Sequence, residues 1–202
     1  MESLACPATV PENAYPIRGP LMLTLHISSP LQSSINDLRT EYFPPHRLLV
    51  PGHLTLFHAL PSSPPSLSAV LEDLQSAVDT ARPFAIHAGE VFKMGQRGVG
   101  IDVSNHEIGR EKITKLRSAL LRRWIDRGLT LTNQDRQTLK RPHFTIMNKE
   151  SDLEKVEACF AEVRRRMGED RMWKTGVALG IEVWEYLVGG RWRFVRLFKF
   201  RQ

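Results

Sequence analysis

The sequence predicts an α+β fold made of two similar lobes related by a pseudo-twofold axis, with a shared cleft between them. Three observations carry this. Strand-like and helix-like segments alternate along the chain. After an opening strand, the order helix, strand, helix, two strands occurs twice. The strand at the same place in each repeat holds His-x-Thr, once as His53-Leu54-Thr55 and once as His143-Phe144-Thr145. A single β–α–β–α–β–β unit would leave one sheet face poorly covered, so two units packed together are the natural solution. The expected organisation is an extended or disordered arm over residues 1–20 and one bilobal domain over 21–202, with lobe one about 21–105 and lobe two about 106–202.

The elements follow in order. Residues 1–20 are rich in proline and lack periodicity, which predicts the arm. Leu21 to Ile27 is an apolar run that reads as a buried strand, and Ile35, Leu38 and Tyr42 recur at helical spacing until Pro44-Pro45 end the helix. His53 to Phe57, bounded by Pro51-Gly52 and Pro61, predicts a second strand. A Ser/Pro-rich loop follows, then a helix marked by Leu67, Val70, Leu74, Val78 and Ala81. Phe84–Phe92 and Val99–Val103 are read as two strands joined around Gly95–Gly98.

The second half repeats the plan. Ile113, Leu116, Leu120 and Trp124 form a helical stripe that stops at Gly128, a C′ glycine. His143 to Met147 is the second motif strand. Ser151-Asp152-Leu153-Glu154 reads as a capping box opening a helix whose inward face is Leu153, Val156, Phe160, Val163 and Met167. Val177–Val188 and Trp192–Phe200 read as a hairpin turning at Gly189-Gly190.

Composition narrows the function classes. With 42% hydrophobic and 25% charged residues the chain is an ordinary globular one. A formal charge of +6 favours anionic partners without naming one. Two cysteines, Cys6 and Cys159, build neither a disulfide framework nor a thiolate metal site and fit a reducing compartment. No segment resembles a membrane span or a signal peptide. The expectation is a cytoplasmic or nuclear protein away from the membrane, monomeric because nothing demands an oligomer, and without cofactor or metal.

Chemistry concentrates in the two His-x-Thr strands. Side chains alternate along a strand, so His53 and Thr55 share one face while Leu54 and Leu56 share the other. His143 and Thr145 repeat this against Phe144 and Ile146. With the apolar faces turned to the helices, a twofold arrangement brings both His/Thr pairs into the cleft. Two histidines near neutral pH can act as base and acid. Two hydroxyls can donate to the non-bridging oxygens of a phosphate. That set is suited to opening a 2′,3′-cyclic phosphate without a metal.

The tetrapeptides His53-Leu-Thr-Leu and His143-Phe-Thr-Ile, with Arg141-Pro-His-Phe-Thr-Ile-Met-Asn-Lys149 around the second, resemble the paired signature of the two-histidine (2H) phosphoesterase superfamily. Its 2′-5′ RNA ligase and cyclic phosphodiesterase branch is the closest in pattern, over about Leu21 to Phe200. The resemblance implies two antiparallel-rich sheets flanking a central groove, with helices outside. It implies His53 and His143 as the catalytic pair and Thr55 and Thr145 as the phosphate-holding pair. By analogy His53 protonates the leaving 3′-oxygen and His143 activates water, leaving a 2′-phosphate, and a reversible 2′-5′ RNA ligase activity is implied beside it. RNA ends or cyclic nucleotides are the implied partners.

Several further residues carry two readings each. Arg141 and Lys149 flank the second motif and either hold substrate phosphates or are solvated charges. Phe57 and Met147 fall in the alternation of the motif residues and either line the groove or join the core. His58 falls on the apolar register and reads as a structural histidine, while His26, His46, His87 and His106 lack a partner motif. The loop from Thr132 to Gln137 is either a groove wall or loop chemistry alone. Arg164-Arg165-Arg166 reads as an exposed last helical turn, with RNA contact the minority reading, and Trp173, Trp184 and Trp192 read as sheet core or a base-stacking platform, core being favoured for most of them. Two rival functions stand beside the enzyme: a non-catalytic module that binds RNA or nucleotide phosphate ends, and a histidine-ligated metal hydrolase, which lacks an evident third ligand.

Overall fold

The computed structural model describes residues 16–105, 108–169 and 174–202. Seven strands are β1 (Leu21–Ile27), β2 (Thr55–Leu60), β3 (Phe84–Lys93), β4 (Val99–Val103), β5 (His143–Met147), β6 (Thr175–Tyr186) and β7 (Trp192–Lys199). Helices are α1 (Leu31–Tyr42), α2 (Pro64–Thr80), α3 (Ile108–Asp126), the single turn α4 (Asn133–Arg136) and α5 (Leu153–Glu169). Most of Met1 to Pro20, with Cys6, lies outside the described residues, as do His106 and Trp173. The Arg18 and Gly19 N–H groups donate to Glu185, tying the start of the described chain to β6.

Every strand pairing is antiparallel, in the order β2-β1-β6-β3-β4-β5 with β7 on the other side of β6. The two expected sheets are therefore joined where β3 meets β6. One comprises β2, β1, β6 and β7, the other β3, β4 and β5. Sequence halves and sheets do not coincide: β3 and β4 from the first half carry β5, and β6 and β7 from the second half carry β1. An isolated bridge between Leu54 and Phe144 brings the two ends of the path together.

Local chemistry accounts for the elements. Proline before and after α1 limits it, with Phe43 already extended. Gly128 adopts φ 73 and ends α3 as a left-handed C′ residue, its N–H reaching Ile125 and that of Leu129 reaching Trp124. Gly189 and Gly190 both have φ 83, which a tight hairpin needs and a side chain would oppose. At α5 the expected capping box is not formed. Asp152, one residue later than expected, accepts the N–H groups of Glu154 and Lys155, so it is the cap. Leu153 consequently stays exposed, and Val156, Cys159 and Val163 make the buried stripe. Burial pushes the Cys159 thiol up to about 12, so it behaves as a small hydrophobe.

Candidate active site

Both motif strands carry a bulge directly after the threonine. On β1 and β2, Thr24 pairs Thr55 but Leu23 pairs Phe57, which leaves Leu56 unpaired. On β4 and β5, Gly100 pairs Thr145 but Val99 pairs Met147, which leaves Ile146 unpaired. An extra residue changes the parity of everything beyond it. Phe57 and Met147 therefore do not line the groove. Both are buried, and Phe57 packs edge-on to Trp124 at 4.7 Å beneath the Arg117 guanidinium. The same shift takes His58 off the apolar register and leaves it exposed, with Gln134 and the buried Asp135 as partners.

The Leu54–Phe144 bridge decides the site. Both residues are buried, so the side chains on either side of them in each strand point to the opposite face. Carrying the registers outward sets out two rows across four strands. One row is His26, His53, Thr145, Gly100, and the other is Thr24, Thr55, His143, Asp102. Directly opposed side chains have Cβ atoms about 4.5–5.5 Å apart. Each motif histidine thus faces the threonine of the other motif, and all four groups are half-buried.

Each imidazole is held in the same way. Nδ1 of His53 lies 2.8 Å from the Pro51 carbonyl, and Nδ1 of His143 lies 2.8 Å from the Arg141 carbonyl. A carbonyl only accepts, so Nδ1 donates its hydrogen and Nε2 is left to act on a ligand. Above His53 sits Trp192, with ring centroids 4.4 Å apart. Burial pushes the His53 pKa down to about 4, the Pro51 hydrogen bond opposing this and the charges of Arg39, His58 and His143 adding to it. By surface area the ring is only half-buried, so this is the effect of a crowded ring and not a sealed one. His143 meets the Phe92 ring edge-on at 5.5 Å.

Helix α1 positions the first motif. Asn36 accepts the Gly52 N–H at 2.7 Å, and Gln32 donates to the Gly52 carbonyl at 2.6 Å. A Cβ on Gly52 would come within 2.5 Å of Ile35, so only glycine lets the loop lie this close. Arg39, buried at 2% exposure, donates to Thr145 O at 2.6 Å and Val50 O at 3.2 Å, reaching both motifs. Burial lowers its pKa to about 10, which leaves it charged at neutral pH. Arg117 on α3 does the converse, donating to Leu56 O at 3.0 Å and Asp135 O at 2.8 Å. Where the seam between β2 and β5 stops, guanidinium groups satisfy the carbonyls in place of further ladder.

The remaining expected residues separate. Arg141 ion-pairs with Asp102 at 3.0 Å and lies 4.1 Å over Phe92, so it borders His143 while tied to a carboxylate. Lys149 is exposed beyond β5 with φ 59, and its carbonyl accepts from Arg97. The Thr132–Gln137 loop serves β2: Asp135 accepts the N–H groups of His58 and Ala59 and is held by Thr132. Arg165 and Arg166 pair with Glu162, Glu169 and Glu41. Arg39, Phe92 and Asp102 escaped sequence reasoning, and so did the contact of Trp192 with His53, because these places follow from the packing of elements far apart in the chain. A cleft of about 450 Å³ between β3 and α5, lined by Glu90, Phe160 and Arg164, holds none of the motif residues.

By its family model this antiparallel α+β chain, with its two His-x-Thr strands side by side, falls in the 2H phosphoesterase class. The chain belongs to the 2′-5′ RNA ligase superfamily, whose family model matches residues 27–179. A protein of Bacillus cytotoxicus named "Putative phosphoesterase" is 28% identical over 137 residues, which is 68% of this chain and 74% of that one. Among solved structures, Escherichia coli LigT complexed with 3′-AMP superimposes with a TM-score of 0.58 at 14% identity, over 91% of this chain and 99% of that one. Kluyveromyces marxianus Usb1 gives a TM-score of 0.51 at 15% identity, over 89% and 97%. At these identities the two structures establish the shared fold. Family and fold together make this chain an enzyme of the phosphoesterase class, and no described helix is long and apolar enough to cross a membrane.

Proposed function

We propose that the protein is a phosphodiesterase that opens 2′,3′-cyclic phosphates on RNA ends or nucleotides, using His53 and His143 as base and acid and Thr55 and Thr145 to hold the phosphate. The observation that carries this is the pair of rows across the Leu54–Phe144 bridge, where each imidazole stands beside the other motif's hydroxyl. LigT with 3′-AMP and Usb1 with uridine monophosphate add support for a nucleotide ligand.

Water adds to phosphorus while the bond to the ribose 3′-oxygen breaks. One imidazole takes the water proton and the other protonates the departing oxygen, giving a 2′-phosphate. The threonine hydroxyls donate to the non-bridging oxygens as charge accumulates there. With an RNA 5′-hydroxyl in place of water the same steps, in the same direction, form a 2′-5′ bond, and their reversal cleaves that bond back to the cyclic phosphate and the free 5′-hydroxyl. The resemblance gives His53 the acid role, but burial lowers its pKa to about 4, which favours the neutral ring at neutral pH. That environment favours the exchange of roles, with His53 as base and His143 as acid. Arg141 and Lys149 would meet further phosphates of an RNA strand from the border of His143 and from beyond β5.

The test is turnover of 2′,3′-cyclic nucleotides by purified protein in excess chelator, with the product identified as the 2′- or 3′-phosphate. His53→Ala and His143→Ala should each lose about 10²–10⁴ in rate with circular dichroism unchanged. Salt-sensitive RNA binding without turnover would instead identify a non-catalytic phosphate-end module. Turnover abolished by chelator and restored by a metal would identify the metal hydrolase.

A further inference from the structure

The row that contains His53 and Thr145 also contains a third histidine, which the phosphate chemistry leaves unused. Thr24 pairs Thr55, and the Leu25 N–H donates to Leu54 O at 2.9 Å, so the β1–β2 register continues to the motif and sets His26 opposite His53 on the same face. Nδ1 of His26 lies 2.7 Å from a Glu182 carboxylate oxygen. The carboxylate accepts, so Nδ1 carries the hydrogen and Nε2 is turned away from Glu182. The other Glu182 oxygen accepts from Thr24 at 3.1 Å, and Thr24 in turn accepts from the Trp184 indole at 2.9 Å. An oriented imidazole therefore lies one strand from His53, held by a chain that reaches back to the direct neighbour of Thr55.

The surroundings decide what it faces. On β6 the residue opposite His26 is Gly180, where a Cβ would come within 2.3 Å of the Phe198 carbonyl, so no side chain rises beside the imidazole on that strand. His26 and Glu182 are both half-buried, at 32% and 22% exposure. Trp192, in contact with His53, stands 6.1 Å from Trp184, which meets Phe194 edge-on at 5.2 Å. Aromatic faces of this kind accept a stacked base. The negative charge on Glu182 repels a phosphate, so the His26–Glu182 pair suits a neutral polar group and leaves the anion to the two threonines and the catalytic histidines.

We propose that His26, Glu182 and Trp192 form a nucleoside subsite beside the phosphate site, in which His26 Nε2 takes a hydrogen bond from the nucleoside and Trp192 supports its base. The subsite rests on the phosphate-site reading for the place of the anion but not on turnover. Calorimetric titration with adenosine 2′-monophosphate and with inorganic phosphate tests it without catalysis. The wild-type chain binds the nucleotide more tightly than phosphate. His26→Ala lowers the ratio of the two affinities about tenfold, the worth of one hydrogen bond at the upper end of its range. Glu182→Gln lowers it as well, by loosening the imidazole. An unchanged ratio in either variant, or in His26→Phe, which keeps a ring but has no acceptor, should His26→Ala fail to fold, overturns the proposal. So does a wild-type chain that prefers inorganic phosphate. Preferential nucleotide binding with no turnover of any cyclic phosphate would sink the phosphodiesterase reading and leave the subsite standing.

Discussion

At the scale of single residues, the two motif histidines share a tautomer and differ in environment. Each gives its Nδ1 hydrogen to the carbonyl two positions earlier, an arrangement that belongs to the motif backbone. Only His53 carries an indole against its ring. A base must be deprotonated to act, so if His53 is the base, activity falls on the acid side as pH drops through about 4. Trp192→Ala opens the ring to water and is expected to move that limb upward toward about 6.5, the ordinary histidine value. A pH profile of kcat/KM on wild type and variant checks this. An acid limb that does not move would show that Trp192 is not what depresses His53. The histidines and threonines were legible in the sequence because alternation places them on one face. The contact of Trp192 with His53 was not, since it depends on the order in which β2, β1, β6 and β7 pair.

At the scale of elements, the bulges separate what the pattern suggested from what the fold does. Strict alternation put Phe57 and Met147 with the motif residues, but one unpaired residue in each strand turned both inward. Since Phe57 fills the space against Trp124, Phe57→Ala is expected to cost about 3–5 kcal/mol of stability and to change substrate preference little. Denaturant unfolding beside a substrate panel measures both, and a stable variant with altered preference would place Phe57 in the groove after all. The loop before His53 makes a second case. Gly52→Ala drives a methyl into Ile35, so the loop must lift from α1 and His53 with it. The expected result is a fall in kcat larger than any loss of stability, read from single-turnover rates and thermal melting.

At the scale of the whole molecule, the seam between the sheets is short and depends on two arginines sent across it. Arg39 and Arg117 each lie at 3% exposure or less, and each donates to carbonyls of the motif strand from the other half of the chain. Arg39→Ala leaves the Thr145 and Val50 carbonyls without their donor and is expected to cost about 3 kcal/mol. Loss of activity in that variant at temperatures well below its melting point would reflect misalignment of the two rows. Stability should also depend on pH. His53 has a lower pKa folded than unfolded, so below about 6.5 the unfolded chain binds more protons. The folded state therefore loses stability as pH falls from about 6.5 through about 4. Denaturant midpoints across that range should show the slope, and His53→Ala should reduce it.

Periodicity in the chain determined which segments are strands and helices, where Gly128 and Gly189-Gly190 turn it, and that two His-x-Thr strands repeat. Those features depend on side-chain alternation and backbone conformation within a few residues, which a linear pattern records. The tertiary structure alone decided that the halves exchange strands, that the bulges bury Phe57 and Met147, and that Trp192, Arg39 and His26 stand beside the motif. Each of those outcomes follows from the register between strands far apart in the chain. Register is chosen by packing the two apolar faces together, and no local segment carries that information.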